Sequence, residues 1–103
     1  MLTEPSEAIA RKFKVILAIS TTNEPTLDDI ARVTQLPRSS IKRIIAKLRS
    51  DYTMDIRFEP YLSEKGRTGY YRIHNWGVFN RNEVMVKFGY LLSNQDSLMR
   101  ESY

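Results

Sequence analysis

Pro37 constrains this chain more than any other residue. It stands between two stretches with helical apolar spacing, and no undistorted helix runs through a proline, which lacks the N–H and clashes with the preceding turn. Upstream, Leu27, Ile30, Ala31 and Val33 have the spacing of one face of a short helix. Downstream, Ile41, Ile44, Ile45 and Leu48 recur at i, i+3, i+4 and i+7, the stripe of a helix with one face in a core. The stretch Thr26 to Arg49 is therefore expected to be two helices joined by a tight turn at Thr34-Gln35-Leu36. Pro37 falls in the first turn of the second helix, where a missing N–H is not needed.

The start of the first of these helices is marked as clearly. Thr26 with Asp29 three residues on is a capping box, which places the first helical residue at Leu27. Asp28 and Asp29 then lie in the opening turn, where the helix dipole favours negative charge. Neighbouring residues on a helix point in different directions, so these two read as capping residues and not as a catalytic carboxylate pair. Ala31 sits where the two helices must approach closely, and a larger side chain there is expected to separate them.

Charge is concentrated in the same place. The chain carries a net +4, and residues 36–50 alone carry Arg38, Lys42, Arg43, Lys47 and Arg49 with no acid. Residues 1–35 carry a small net negative charge, and residues 51–74 and 75–103 each balance. A solvated helix usually interleaves both signs and gains i,i+4 pairs. A helix holding the whole excess has the field expected of a phosphate-binding face. Ser39 and Ser40 near its start add hydroxyls and free backbone N–H groups that can bind phosphate, and Arg or Lys there can read guanine edges in a major groove.

With these residues in view, IARVTQLPRSSIKRIIAKL resembles the helix-turn-helix of the isocitrate-lyase-regulator (IclR) type of bacterial transcription factors. Leu36-Pro37 followed by Ser39 is the most specific part of the likeness. Gln35 departs from it, standing where such motifs usually have glycine for a left-handed turn residue. Those regulators add a large ligand-binding domain, for which 103 residues leave no room. The resemblance implies a winged helix-turn-helix DNA-binding module and does not imply an effector. The segment GYYRIHNWGVFNRNEV is in turn similar to small stand-alone bacterial winged-helix proteins.

The remaining segments are expected to build the rest of such a module: α+β, mainly α, with a three-helix core, a two-stranded wing and an additional C-terminal helix. Ser6 to Ser20 reads as the first helix, with Ile9, Phe13, Ile16 and Leu17 as its core stripe and Arg11, Lys12 and Lys14 on a solvated face. Thr21 to Pro25 is a polar connection. The helix-turn-helix spans 26–50, with the recognition helix at 37–50, and Ser50 to Thr53 turns the chain. Within a wing at 54–74, Met54, Ile56 and Phe58 alternate with Asp55, Arg57 and Glu59, a half-buried strand that Pro60 ends. Tyr70 to His74 is its partner, with Tyr71 and Ile73 facing inward. The polar tip 63–69 carries Lys65 and Arg67, placed to grip phosphates or enter a minor groove. Trp76 is expected to pack on the sheet.

Asn80 and Glu83 repeat a capping pattern before a last helix at 80–93. Val84, Phe88, Leu91 and Leu92 form its core stripe, but Met85, Val86 and Tyr90 make it apolar on more than one side. The expected cover is a second copy, so Met85, Val86, Phe88, Tyr90 and Leu92 are expected at a dimer interface, together with the first helix. A symmetric dimer would present two recognition helices to a pseudo-palindromic site about one DNA turn apart. One domain at 1–93 is expected, with a frayed start at 1–5 and a loose tail at 94–103.

Composition narrows the function classes. No cysteine is present, so there are no disulfides, no thiolate metal site and no thiol nucleophile. There is no apolar run near 18 residues and no signal-peptide pattern, and a cytoplasmic location with no membrane partner is expected. His74 is the only histidine, with no sequence-local base or nucleophile beside it, and no phosphate-cradling glycine loop or metal-ligand cluster is present. An enzyme is not expected, nor a cofactor, metal or small-molecule ligand. Double-stranded DNA is the expected partner, through Arg38, Ser39, Ser40, Lys42, Arg43, Lys47 and Arg49 on the helix and Lys65 and Arg67 on the wing. A protein-interaction module built on the same fold is the main alternative. RNA is the other, with Tyr61 and Tyr70 as candidate exposed stacking platforms.

Overall fold

In a computed structural model of the 103-residue chain, residues 6–61 and 68–92 are described. Three helices come first: α1 Glu7–Thr21, α2 Leu27–Thr34 and α3 Arg38–Asp51. A two-stranded antiparallel sheet follows, β1 Asp55–Pro60 and β2 Gly69–Asn75, and then α4 Arg81–Phe88. The α1–α2–α3 bundle carries the sheet as a wing, with α4 docked beside α1. The mainly helical α+β architecture is the expected one.

Helices α1, α2 and α4 each start where a side chain satisfies an orphan backbone donor. Ser6 Oγ accepts from the Ile9 N–H at 3.3 Å and caps α1. At α2 the capping box is complete: Thr26 Oγ1 accepts from the Asp29 N–H at 3.1 Å, and Asp29 accepts from the Thr26 N–H at 3.0 Å. At α4, Asn80 Oδ1 accepts from the Glu83 N–H at 3.0 Å. Helix α3 has no side-chain cap, because Pro37 itself is the N-cap residue, with φ −64° and ψ 149°. Pro37 therefore stands one residue outside the helix that it was expected to open, and α3 continues one residue beyond the expected end, to Asp51.

Gln35 adopts the left-handed conformation, φ 61°, that its place in the turn demands. Its side-chain amide donates to the Arg32 carbonyl at 2.8 Å, which anchors it there without a glycine. Thr34 belongs to α2 and not to the turn. It is 1% exposed, and its hydroxyl donates to the Ile30 carbonyl at 2.7 Å, so burial leaves no polar group unpaired.

The core is continuous, built on Val15, Ile16, Leu17, Ala18 and Ile19 of α1, Ile30 of α2, Ile41, Ile45 and Leu48 of α3, and Met54 and Ile56 at the start of the wing. Five consecutive buried residues show that α1 is enclosed on all sides near its end, more than a single stripe implied. Its other end is the reverse. Ile9, expected in the core, is 43% exposed, because the first turn of α1 precedes the elements that would cover it.

An aromatic cluster fixes α4. Phe13 of α1 stacks on Phe88 of α4 with ring centroids 3.9 Å apart and meets Phe79 edge-on at 5.4 Å, and Phe79 lies 5.1 Å from Tyr52. The Lys12 ammonium lies 5.9 Å from the centre of the Tyr52 ring. Gly77 makes the connection possible. It holds φ +61°, and a Cβ there would run into the backbone of Tyr52 and Thr53. Val78 then donates its N–H to the Tyr52 carbonyl at 3.1 Å, which ties the connection to the end of α3.

The expected frayed start at 1–5, wing-tip residues Lys65 and Arg67, and tail at 94–103 lie outside the described residues, while α4 ends at Phe88 with Gly89 as its C-cap, short of the expected end at 93. Met85 and Phe88 of α4, and Leu92 beyond its end, are partly buried against the chain's own core. The apolar surface left uncovered on this side is Val86, 83% exposed, with Tyr90 four residues on and Val78 in the preceding connection.

Candidate nucleic-acid interface

Helix α3 places its side chains by rotation alone, about 100° per residue. With Ile41, Ile45 and Leu48 buried, the opposite arc is centred on Ser39, Arg43, Ala46 and Ser50, all exposed. Arg38, Lys42 and Arg49 lie on the flank toward the wing, and Lys47 lies on the other flank. Ser40 is half-buried, further from the outward arc than Ser39. Ala46 and Ser50 were not among the expected contact residues. A search for charge passes over them, yet small residues at the centre of the arc let a helix approach base edges, and alanine can meet a thymine methyl.

The expectation that this helix has no acid to pair with needs correction at two points. Asp51 belongs to the helix, and its carboxylate lies 3.7 Å from the Lys47 ammonium, an i,i+4 pair. Asp28 of α2 forms an ion pair with Arg38 across the turn. A window of sequence ending at residue 50 misses the first acid, and only the fold brings in the second. Arg49 also has structural work: its Nε donates to the Ile56 carbonyl of β1 at 2.8 Å, fastening the end of α3 to the wing. Lys42 and Arg43 remain as the cations of this helix that have no ion-pair or hydrogen-bond partner among the described residues. Both are exposed.

Around this face, carboxylates are held ionised by their partners. The Asp29 carboxyl is pulled below its usual range, first by the Thr26 N–H that it accepts and then by Arg32, whose Nη2 lies 2.8 Å away. On the wing, Arg57 lowers the Asp55 carboxyl by hydrogen bonds of 2.8 to 3.2 Å. Arg57 lies directly opposite Arg72 in the ladder, a like-charge juxtaposition that Asp55 offsets.

His74 sits at an irregularity in the ladder, where Ile56 pairs with Ile73 and Asp55 with Asn75. Its Nε2 lies 2.8 Å from a Glu59 carboxylate oxygen, a contact that joins the two strands. Tyr61 and Tyr70 lie against each other, ring centroids 5.7 Å apart, and both are half-buried.

Phe58 is the main departure from the expected wing. It was placed in the core by alternation with Met54 and Ile56, but it is 41% exposed. Alternation identifies the face of a strand correctly, and Phe58 does share the face of buried Ile56. It carries no information on how far along the strand the helical body extends, and the wing outruns it.

A family model described as winged helix-turn helix matches residues 4–94. The chain belongs to this winged helix-turn-helix family. The match concerns the domain as a whole and assigns no IclR type. Among solved structures, the chain is similar to a DUF2131 family protein from Shewanella amazonensis SB2B, with a TM-score of 0.70 and 21% identity over 89% of this chain and 92% of that one. At that identity the likeness shows the fold. No curated protein matches the chain. No helix among the described residues is long and apolar enough to cross a membrane.

Proposed function

We propose that this winged helix-turn-helix protein binds double-stranded DNA sequence-specifically, as a small transcriptional regulator in a bacterial cytoplasm. In this reading α3 enters the major groove and the wing tip, with Lys65 and Arg67, contacts the adjacent backbone or minor groove. The observation that carries it is the outward arc of α3. Arg43 projects there and Lys42 stands on the flank toward the wing, both without acidic partners among the described residues, on the helix that winged-helix proteins insert into DNA. Arg43 is the base-edge reader, beside Ser39 and Ala46. Arg38, Ser40, Lys47 and Arg49 border the arc and face the phosphates, with Arg38 and Lys47 partly neutralised by Asp28 and Asp51.

A second copy is the proposed cover for the exposed part of α4. Val86 of α4 and Tyr90 just beyond its end are exposed, while Met85, Phe88 and Leu92 pack partly buried against the monomer core. A two-fold dimer through Val86 and Tyr90 would match a pseudo-palindromic site. Sedimentation at tens of micromolar tests it, and a monomer there removes it.

The decisive experiment for the DNA reading is fluorescence anisotropy of a labelled mixed-sequence duplex across a salt series, for wild type and Lys42→Glu/Arg43→Glu. Counterion release gives a log–log slope of about −0.9 per phosphate contacted. Wild type is expected to show that dependence, and the folded variant is expected not to bind. Absence of wild-type binding at low salt would refute the reading and favour a partner-binding module.

A further inference from the structure

The fold leaves Phe58 exposed but does not leave it loose. Its cross-strand partner Tyr71 meets it edge-on, with centroids 5.4 Å apart. Gly69, at the start of β2, makes room for the ring. A Cβ at Gly69 would lie 2.7 Å from Phe58 Cζ and would also meet the backbone of Glu59 and Pro60. An exposed aromatic ring locked by its neighbours is pre-organised for contact, since little rotamer freedom remains to be lost on binding.

The ring lines a cleft of about 490 Å³ between the wing and the helix-turn-helix, walled on the helical side by Thr26, Leu27 and Asp28 at the start of α2 and by Lys42 of α3. Leu27 and Tyr71 add apolar wall, and Lys42 of α3 supplies a cation without a partner among the described residues. Asp28 is the carboxylate lining this cleft, and it is paired with Arg38. The lining thus combines apolar wall with the Lys42 ammonium, the threonine hydroxyls of Thr26 and Thr68, and an Asp28 carboxylate whose charge is offset from outside the cleft by Arg38. That combination matches the alternating chemistry of a nucleic-acid strand, a sugar with C–H faces followed by a phosphate.

Position points the same way. A sugar–phosphate strand separates a major groove from the adjacent minor groove. A protein with α3 in one and its wing on the other must pass that strand between them, where this cleft lies. We propose that the cleft seats that strand, with Phe58 packed on a deoxyribose and Lys42 on the flanking phosphate. This rests on the DNA reading above and adds a residue that no charge-based argument selects.

The test separates apolar from ionic contact. Affinity for a DNA duplex is measured across a salt series for wild type, Phe58→Ala, Phe58→Leu and Lys42→Ala, with circular dichroism melts as the control for folding. Phe58→Ala is expected to weaken binding about tenfold at every salt concentration, with the slope unchanged, because a lost apolar contact releases no fewer counterions. Phe58→Leu should recover part of the loss. Lys42→Ala should flatten the slope by about 0.9. Wild-type affinity in folded Phe58→Ala overturns the cleft assignment, and leaves the DNA reading standing if Lys42→Glu/Arg43→Glu still abolishes binding. A loss that appears as a changed slope also overturns it. A wild type that does not bind overturns both.

Discussion

Replacing Asp28 with alanine is expected to strengthen DNA binding while barely changing stability. Asp28 and Arg38 form an ion pair between α2 and α3 with side chains 65% and 64% exposed. At that exposure a pair is worth about 0–1 kcal/mol, because water screens it and two side chains must be held still. Asp28→Ala should therefore lower the unfolding free energy by less than about 1 kcal/mol. On the DNA side two effects add. A unit charge ~8 Å from a phosphate in a water-like medium contributes about 0.5 kcal/mol of repulsion. Two phosphates within a Debye length of about 10 Å bring the total to about 1 kcal/mol, and salt reduces it by roughly half. Arg38, once released, becomes available for a phosphate of its own, which steepens the salt dependence by about 0.9. The combined expectation is three- to tenfold tighter binding at about 0.1 M salt, with mixed-sequence DNA gaining at least as much as a selected site, since phosphate contacts carry no sequence information. Anisotropy titrations across salt and urea unfolding of the same preparations measure both halves. Unchanged or weaker binding by a variant that unfolds like wild type would refute this placement of the Asp28–Arg38 pair on the DNA-facing surface.

Two further outcomes follow from the scaffold. Asp29→Asn should be less stable than wild type at pH 7 by about 0.5–1 kcal/mol, because it loses the charged half of the capping box and the pull of Arg32. The Asp29 pKa is lowered in the folded chain, so its contribution is present above the ordinary carboxylate range and is lost as pH falls through the folded value. Melts between pH 7 and pH 3 should show the gap closing on acidification, and a constant gap would contradict it. Gly77→Ala should cost at least about 2 kcal/mol in urea unfolding, since it combines left-handed strain with a clash against the end of α3. A variant within about 0.5 kcal/mol of wild type would show that the connection can move.

Local signals in the chain were read correctly where the physics is local. The capping box at Thr26 and Asp29 and the stripe Ile41, Ile44, Ile45 and Leu48, all buried or half-buried, depend on neighbours within one or two turns. Spacing reports them because helical geometry is fixed. Phe58 and Ile9 failed for one shared reason: periodicity says which face a residue takes, not whether another element reaches far enough to cover it. The Arg38 pair with Asp28 and the Arg49 bond to the Ile56 carbonyl failed for another, since charge counted along a chain ignores what the turn and the strand bring alongside.

The sequence by itself determined that a helix-turn-helix forms, where it begins and bends, and that its second helix carries the excess positive charge. Tertiary structure decided which of those charges have no partner among the described residues, Lys42 and Arg43, and that Phe58 is left exposed in the cleft beside Lys42. Helical period and capping are set by covalent geometry within a few residues, whereas pairing and exposure depend on the end point of distant segments, and only the packed core fixes that.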